Sequence, residues 1–157
     1  MTATASDIAH RFAAAFNTRN VETVLDCFTP DARYLDLFYG TFSDRSGLRG
    51  LFERMYAEGD QHEWMMTRVV VNPVCTIGEW RFTFTVSSAV ARSSGRRLTF
   101  RGVSIFETRA GRCHTYREYF DRGAALLALG ISPSAVARIA EGRPSVEVTG
   151  PGLAARA

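Results

Sequence analysis

The 157-residue chain contains no lysine; all 19 of its basic residues are arginine. That absence excludes Schiff-base chemistry, a pyridoxal-phosphate lysine and the lysine of a phosphate-binding loop. Cysteine is scarce too. Cys27, Cys75 and Cys113 are odd in number, widely spaced and form no Cys-x-x-Cys pair, which reads as three reduced, small apolar residues in a cytoplasmic protein. His10, His62 and His114 lie far apart, with no His-x-x-x-His or His-Glu-x-x-His spacing, so no metal site is expected. No apolar run approaches the roughly 20 residues that cross a bilayer, and Met1 to Asp7 lacks the basic and apolar stretches of a secretory signal. No membrane partner is expected. The net charge is only +3 and, among the arginines, only Arg96 and Arg97 are adjacent; without a basic stripe, no nucleic-acid partner is expected either. There is no Gly-x-Ser-x-Gly elbow, no Rossmann glycine fingerprint and no internal repeat.

What remains is 46% hydrophobic, 22% charged and contains eleven Phe, the composition of one soluble domain with a closed core. Ser6 or Asp7 caps a first helix to about Asn17, carrying Ile8, Phe12, Ala15 and Phe16 at helical spacing. Asn20 caps a second, with Val21, Val24, Leu25 and Phe28 on its apolar side, stopped by Thr29-Pro30-Asp31. A short strand, Ala32 to Leu37, places Tyr34 and Asp36 on one face. Gly40 breaks that pattern, and a third helix runs from Asp44 or Ser46 to about Ala57, burying Leu48, Leu51, Phe52, Met55 and Tyr56. Strands follow over His62–Val71, Val74–Ala91, Arg97–Arg109 and Arg112–Phe120, separated by short loops, so they pair as an antiparallel meander. Helices over Asp121–Leu129 and from Ser132 or Ser134 to Ala140 close the chain, Gly130 ending the first. The domain is read as 1–140, and 141–157, rich in Gly, Pro, Ala and Arg, as a flexible tail. This segregation of elements predicts an α+β fold: a cone-shaped, curved antiparallel sheet with helices over its concave face and a hollow between them.

The element order resembles the nuclear-transport-factor-2-like (NTF2-like) superfamily, nearest its SnoaL-type polyketide cyclases and limonene-epoxide hydrolases. The residues carrying the match are Phe106-Glu107-Thr108-Arg109-Ala110-Gly111-Arg112, then Tyr116-Arg117-Glu118-Tyr119-Phe120-Asp121, with Leu126 and Leu127 beyond. Leu25 to Ala32 and Tyr34 fit the opening of the same fold. The resemblance implies a cofactor-free site in the cone and a homodimer through the sheet. In the epoxide hydrolases the last strand reads Trp-Arg-Asp-Tyr-Phe-Asp with its first Asp catalytic; Glu118 takes that position here. Asp121 matches the second Asp and reads as an N-cap. Tyr34 matches a water-holding Tyr, and Asp36 stands where that family has Asn. The family's central Arg-x-Asp is replaced by Arg81-Phe82-Thr83-Phe84-Thr85, so the second acid is missing.

Strand alternation puts His114, Tyr116, Glu118 and Phe120 on one face. A carboxyl among aromatic neighbours has a raised pKa and moves protons near neutrality; the bland alternative pairs Glu118 with one of the many arginines. Asp36, if it faces the cavity rather than solvent beside Arg33, shares a water or a proton with Glu118. Arg81 either orients a substrate oxygen or faces solvent with Trp80, Phe82 and Phe84 turned to the core; in the opposite phase those aromatics form a dimer face. Tyr34, Tyr116, His114, Phe100, Phe106, Trp64 and Met55 are the expected lining, with His114 placed to relay a proton. The expected activity is acid/base chemistry of the cyclase or isomerase type on a small, largely apolar carbonyl or cyclic compound. Epoxide hydrolysis and non-catalytic binding are the alternatives.

Overall fold

The structure, a computed structural model, describes residues 7–143. Helix α1 spans Ile8–Asn17, its first turn capped by Asp7, whose carboxylate accepts from the His10 backbone N–H. Asn20 caps α2, Val21–Leu25, in the same way. That helix ends three residues early because Phe28 already belongs to strand β1, Phe28–Asp36. The expected stop at Thr29-Pro30-Asp31 lies inside this strand, where its register slips between Phe28 and Arg33; a proline has no N–H to give a regular ladder. A short strand that the sequence pattern does not reveal, β2 over Gly40–Ser43, folds back on β1. Next come α3 (Asp44–Glu58), β3 (Gly59–Val71) and β4 (Cys75–Val86). The strand expected to reach Ala91 ends at Val86, and a 3₁₀ turn at Ala91–Ser93 fills the connection. Strands β5 (Arg97–Arg109) and β6 (Arg112–Phe120) precede α4 (Arg122–Ala128) and α5 (Pro133–Gly142). The last helix runs two residues past the expected domain end at 140. Residues 144–157 of the expected tail lie outside the described residues.

The six strands form one curved, open sheet in the order β2-β1-β6-β5-β4-β3. Every pair is antiparallel except β1 and β6, which run parallel. The fold is therefore α+β and NTF2-like. On the concave side α1 and α3 bring Phe12, Phe16, Leu48, Leu51 and Phe52 onto Phe28, Trp64, Phe106 and Tyr116, all buried. Phe12 alone packs edge-on against Trp64 at 4.8 Å and Phe28 at 5.8 Å between ring centroids. Each such ring contributes about 1.5–3 kcal/mol by leaving water. Gly78 sets how closely α1 lies on the sheet: a Cβ there would stand 2.9 Å from the Met66 sulfur and 3.4 Å from Ala9 Cβ. Among the described residues, no helix is long and apolar enough to cross a membrane.

Candidate active site

The helices fill only one end of the concave face. At the other, the sheet encloses a cavity of about 220 Å³, somewhat larger than the roughly 150 Å³ that holds a benzene ring. Its wall is aromatic: Trp64, Trp80, Phe82, Phe84, Phe100 and Phe120. Met55 contributes from α3, and the connections after β4 and α4 add Val90, Arg92, Leu129 and Ile131. Among the acids of its lining, Asp36 and Glu118 stand together in this apolar surface.

Their proximity follows from the parallel pairing. Tyr34 stands opposite Tyr116, so two residues further along each strand Asp36 and Glu118 meet on the same face. Both are buried, at 7% and 5% exposure, and their carboxyls are within hydrogen-bonding reach of one another. Asp36 Oδ1 accepts the backbone N–H groups of Phe38 and Tyr39 at 2.6 and 2.7 Å. Glu118 Oε2 accepts the Tyr116 hydroxyl at 2.8 Å, and the nearby Leu37 N–H favours its ionised form. Behind Tyr116, its oxygen lies 2.6 Å from Ser104 Oγ, which in turn receives the Trp80 indole N–H at 2.7 Å. The Tyr34 ring stacks on Tyr116 at 4.1 Å. Its buried hydroxyl lies beside that of Tyr116 but off hydrogen-bond geometry.

Burial pushes Glu118 well above the usual carboxylate range, and the Asp36 charge pushes it further. Burial also raises Asp36, opposed by its two backbone N–H donors and by the hydrogen bond from Glu118. The two backbone N–H groups favour the negative charge on Asp36, which makes Glu118 the favoured carrier of a proton shared by the pair. Among the described residues no guanidinium forms an ion pair with Glu118; the neighbouring Arg117 is committed to Glu107 at 2.7 Å on the other face.

A second polar group borders the cavity. Glu58 accepts the Tyr39 hydroxyl at 2.7 Å and the Arg54 Nε–H at 2.8 Å, and the Arg54 guanidinium lies 4.7 Å over the Tyr39 ring. His62 is part of the wall as a neutral ring. Arg19 donates to its Nδ1 at 2.7 Å, and burial lowers its pKa to about 4. It stacks on Phe82 and Phe84, each at 5.7 Å. Tyr39, Arg54, Glu58 and His62 lie on turns, at a helix end or at a strand start, where periodicity assigns no facing. Ser104 was within reach of the pattern, since it alternates with Phe100 and Phe106.

Of the expected site residues, Glu118, Asp36, Trp64, Met55 and Phe100 border the cavity. Tyr34, Tyr116 and Phe106 do not line it; all three are fully buried behind the wall. Arg81 points away, onto the convex face between Met65 and Arg101, 3.9 Å from the Met65 sulfur. Trp80 and Phe82 occupy the concave positions, and a strand presents only one phase to its core. The same phase removes the aromatic dimer face, and no arginine of β4 joins the two acids. His114 is also misplaced by simple alternation. The β5–β6 register slips between Glu107 and Thr108, so Cys113 turns inward with no exposed surface. His114 turns out toward Thr29, 3.4 Å away, and Asp31, 3.9 Å away; it has no path to Glu118. Asp121 caps α4 by accepting the Ala124 N–H. Among the described residues no three His, Cys, Asp or Glu side chains cluster as a metal site would require.

A family model described as the SnoaL-like domain matches residues 9–116. A search of curated protein sequences found no significant match. Solved structures share the fold at low identity. A protein of ketosteroid isomerase-like fold from Catenulispora acidiphila, in complex with trimethylamine, superposes with a TM-score of 0.71 at 18% identity, covering 82% of this chain and 96% of that one. A proposed polyketide cyclase from a Silicibacter species gives 0.68 at 13% identity, covering 77% and 91%. A proposed SnoaL-like polyketide cyclase from Shewanella denitrificans gives 0.67 at 9% identity, covering 80% and 96%.

Proposed function

The chain belongs to the SnoaL-like domain family, and from that premise we propose that it is a cofactor-free enzyme of the cyclase or isomerase type, acting on a small, largely apolar carbonyl or cyclic compound. One observation carries this reading: two buried carboxyls side by side in the wall of a largely aromatic cavity. Asp36, the ionised partner, removes a proton from the carbon next to a carbonyl. Glu118 gives its proton to the carbonyl oxygen, so an enol forms without a free oxyanion. Returning the proton at a different carbon isomerises the compound; attack of the enol carbon on a second carbonyl closes a ring. Epoxide opening on the pattern of the hydrolases uses an arginine between two acids, and Arg81 lies outside the cavity.

Solvent exchange tests the proposal. Incubated in D₂O with a panel of small cyclic ketones and lactones, the protein is expected to incorporate deuterium next to the carbonyl of those it accepts. Ligand-induced thermal stabilisation across the panel without exchange or product would make it a binder instead. The reading includes a homodimer through the convex sheet face, where Met65, Val103 and Tyr119 are exposed. A dimeric mass by light scattering at micromolar concentration is expected, and a monomeric one would remove that interface.

A further inference from the structure

We propose that Trp80 and Ser104 are positioning residues that strengthen the hydrogen bond reaching Glu118 and thereby govern how tightly its proton is held. The proposal rests on reading Glu118 as the proton carrier. An indole N–H can only donate, whereas a hydroxyl can donate or accept. The Trp80 N–H is given to Ser104 Oγ at 2.7 Å. Ser104 keeps a second lone pair, but among the described residues the Tyr116 oxygen at 2.6 Å is the one acceptor its proton reaches, so the proton goes there. Tyr116, having accepted, directs its proton to Glu118 Oε2 at 2.8 Å. The donor-only indole at one end and the accepting carboxyl at the other favour the same orientation of the row. Ser104 and Tyr116 have no exposed surface, so bulk water does not supply a substitute donor, and each bond polarises the next.

The indole itself is held in register by what Gly102 lacks. A Cβ on Gly102 would lie 2.6 and 2.7 Å from two Trp80 ring carbons and 2.5 Å from the Tyr119 carbonyl oxygen. The six-membered ring of Trp80 occupies that space, across the strand pair Trp80–Gly102. Trp64 and Phe120 flank it at 5.5 and 6.1 Å. Without the indole N–H, Ser104 is a weaker donor to Tyr116, and Tyr116 in turn a weaker donor to the carboxyl. The remaining groups acting on Glu118 are Asp36, the Leu37 N–H and, beside Tyr116, the Tyr34 hydroxyl; Arg143, after α5, acts on Asp36. None of these makes up for the weakened donor to Oε2.

The titration of Glu118 decides the matter without any substrate. Full-length protein labelled with ¹³C at glutamate carboxyls is followed by NMR across pH, and the Glu118 signal is identified by its loss in Glu118→Gln. Trp80→Phe is expected to raise the Glu118 midpoint by roughly half a pH unit, about threefold in proton affinity, because the donor to the ionised form is weakened. Ser104→Ala, which removes the donor to Tyr116 outright, is expected to shift it the same way and at least as far. The double variant should shift no further than Ser104→Ala. A purely structural role predicts the opposite sign, because a loosened core admits water and lowers the midpoint. A midpoint unchanged or lowered in Trp80→Phe overturns the proposal; should that variant not fold, Ser104→Ala is judged by the same criterion. Loss of catalysis as a reading, through undiminished turnover in Glu118→Gln, would leave this titration result standing.

Discussion

Glu118→Gln is expected to lower turnover by about 10²–10⁴-fold while leaving the fold intact. The reason is that glutamine copies the resting state of the pair. Its amide N–H₂ donates to Asp36 as the protonated carboxyl does, and its oxygen accepts from Tyr116 across the distance now 2.8 Å. No buried group loses its partner, so the destabilisation that follows orphaned polar atoms is avoided. What disappears is the proton that can leave. The comparison is made with whichever ketone or lactone undergoes exchange, alongside circular dichroism to confirm the fold. The pH profile adds a second reading: only the singly protonated pair holds both an acid and a base, so wild-type kcat/KM should be bell-shaped, with a basic limb displaced upward by the burial of Glu118. Turnover in Glu118→Gln equal to wild type would show that this carboxyl moves no proton in the reaction.

Much of the fold was legible because it is written in local chemistry. Asp7 and Asn20 cap the helices they precede, and the four long strands announce themselves through Thr, Val and aromatic alternation. What failed was anything that alternation assumes to be regular. The slip between Glu107 and Thr108 exchanges the facing of His114 and Cys113, and a bulge leaves no compositional mark there. The slip beside Pro30 hides the true start of β1, and with it the parallel partnership that brings Asp36 to Glu118. For β4, residue types alone left both phases open. Packing chose between them: Trp80 and Phe82 have a cavity and a core to fill, while Arg81 has water on the convex face. The acid pair was thus anticipated from one strand each, but the row behind it was not. Ser104 stands in line with Phe100 and Phe106 in the sequence, yet nothing there shows that an indole from the neighbouring strand ends on its oxygen.

The same pair should leave a signature in stability, of a sign opposite to that of an ordinary salt-bridged acid. In the unfolded chain Asp36 and Glu118 titrate near 3.8 and 4.5; in the folded protein burial raises both, Glu118 far more. Above those unfolded values the native state binds more protons than the unfolded one, so stability falls as pH rises. The contribution is complete below the unfolded values and is lost as pH climbs through the folded ones, each unit of separation being worth about 1.4 kcal/mol. Glu118→Gln removes that titration. Its stability in urea is expected to match or fall short of wild type at acidic pH and to exceed it progressively toward alkaline pH. Other groups do not obscure the difference. His62, lowered to about 4, adds a rise in stability between that value and 6.5, but it does so in both proteins, as do the lowered carboxyls of Asp7, Glu22 and Asp31 near the surface. Parallel stability curves for the two proteins would mean that Glu118 ionises as easily folded as unfolded. A crossing of the curves would instead measure how much stability the native state forgoes by keeping a carboxyl with no cation partner in an aromatic wall, which is the condition that lets it still carry a proton to transfer near neutrality.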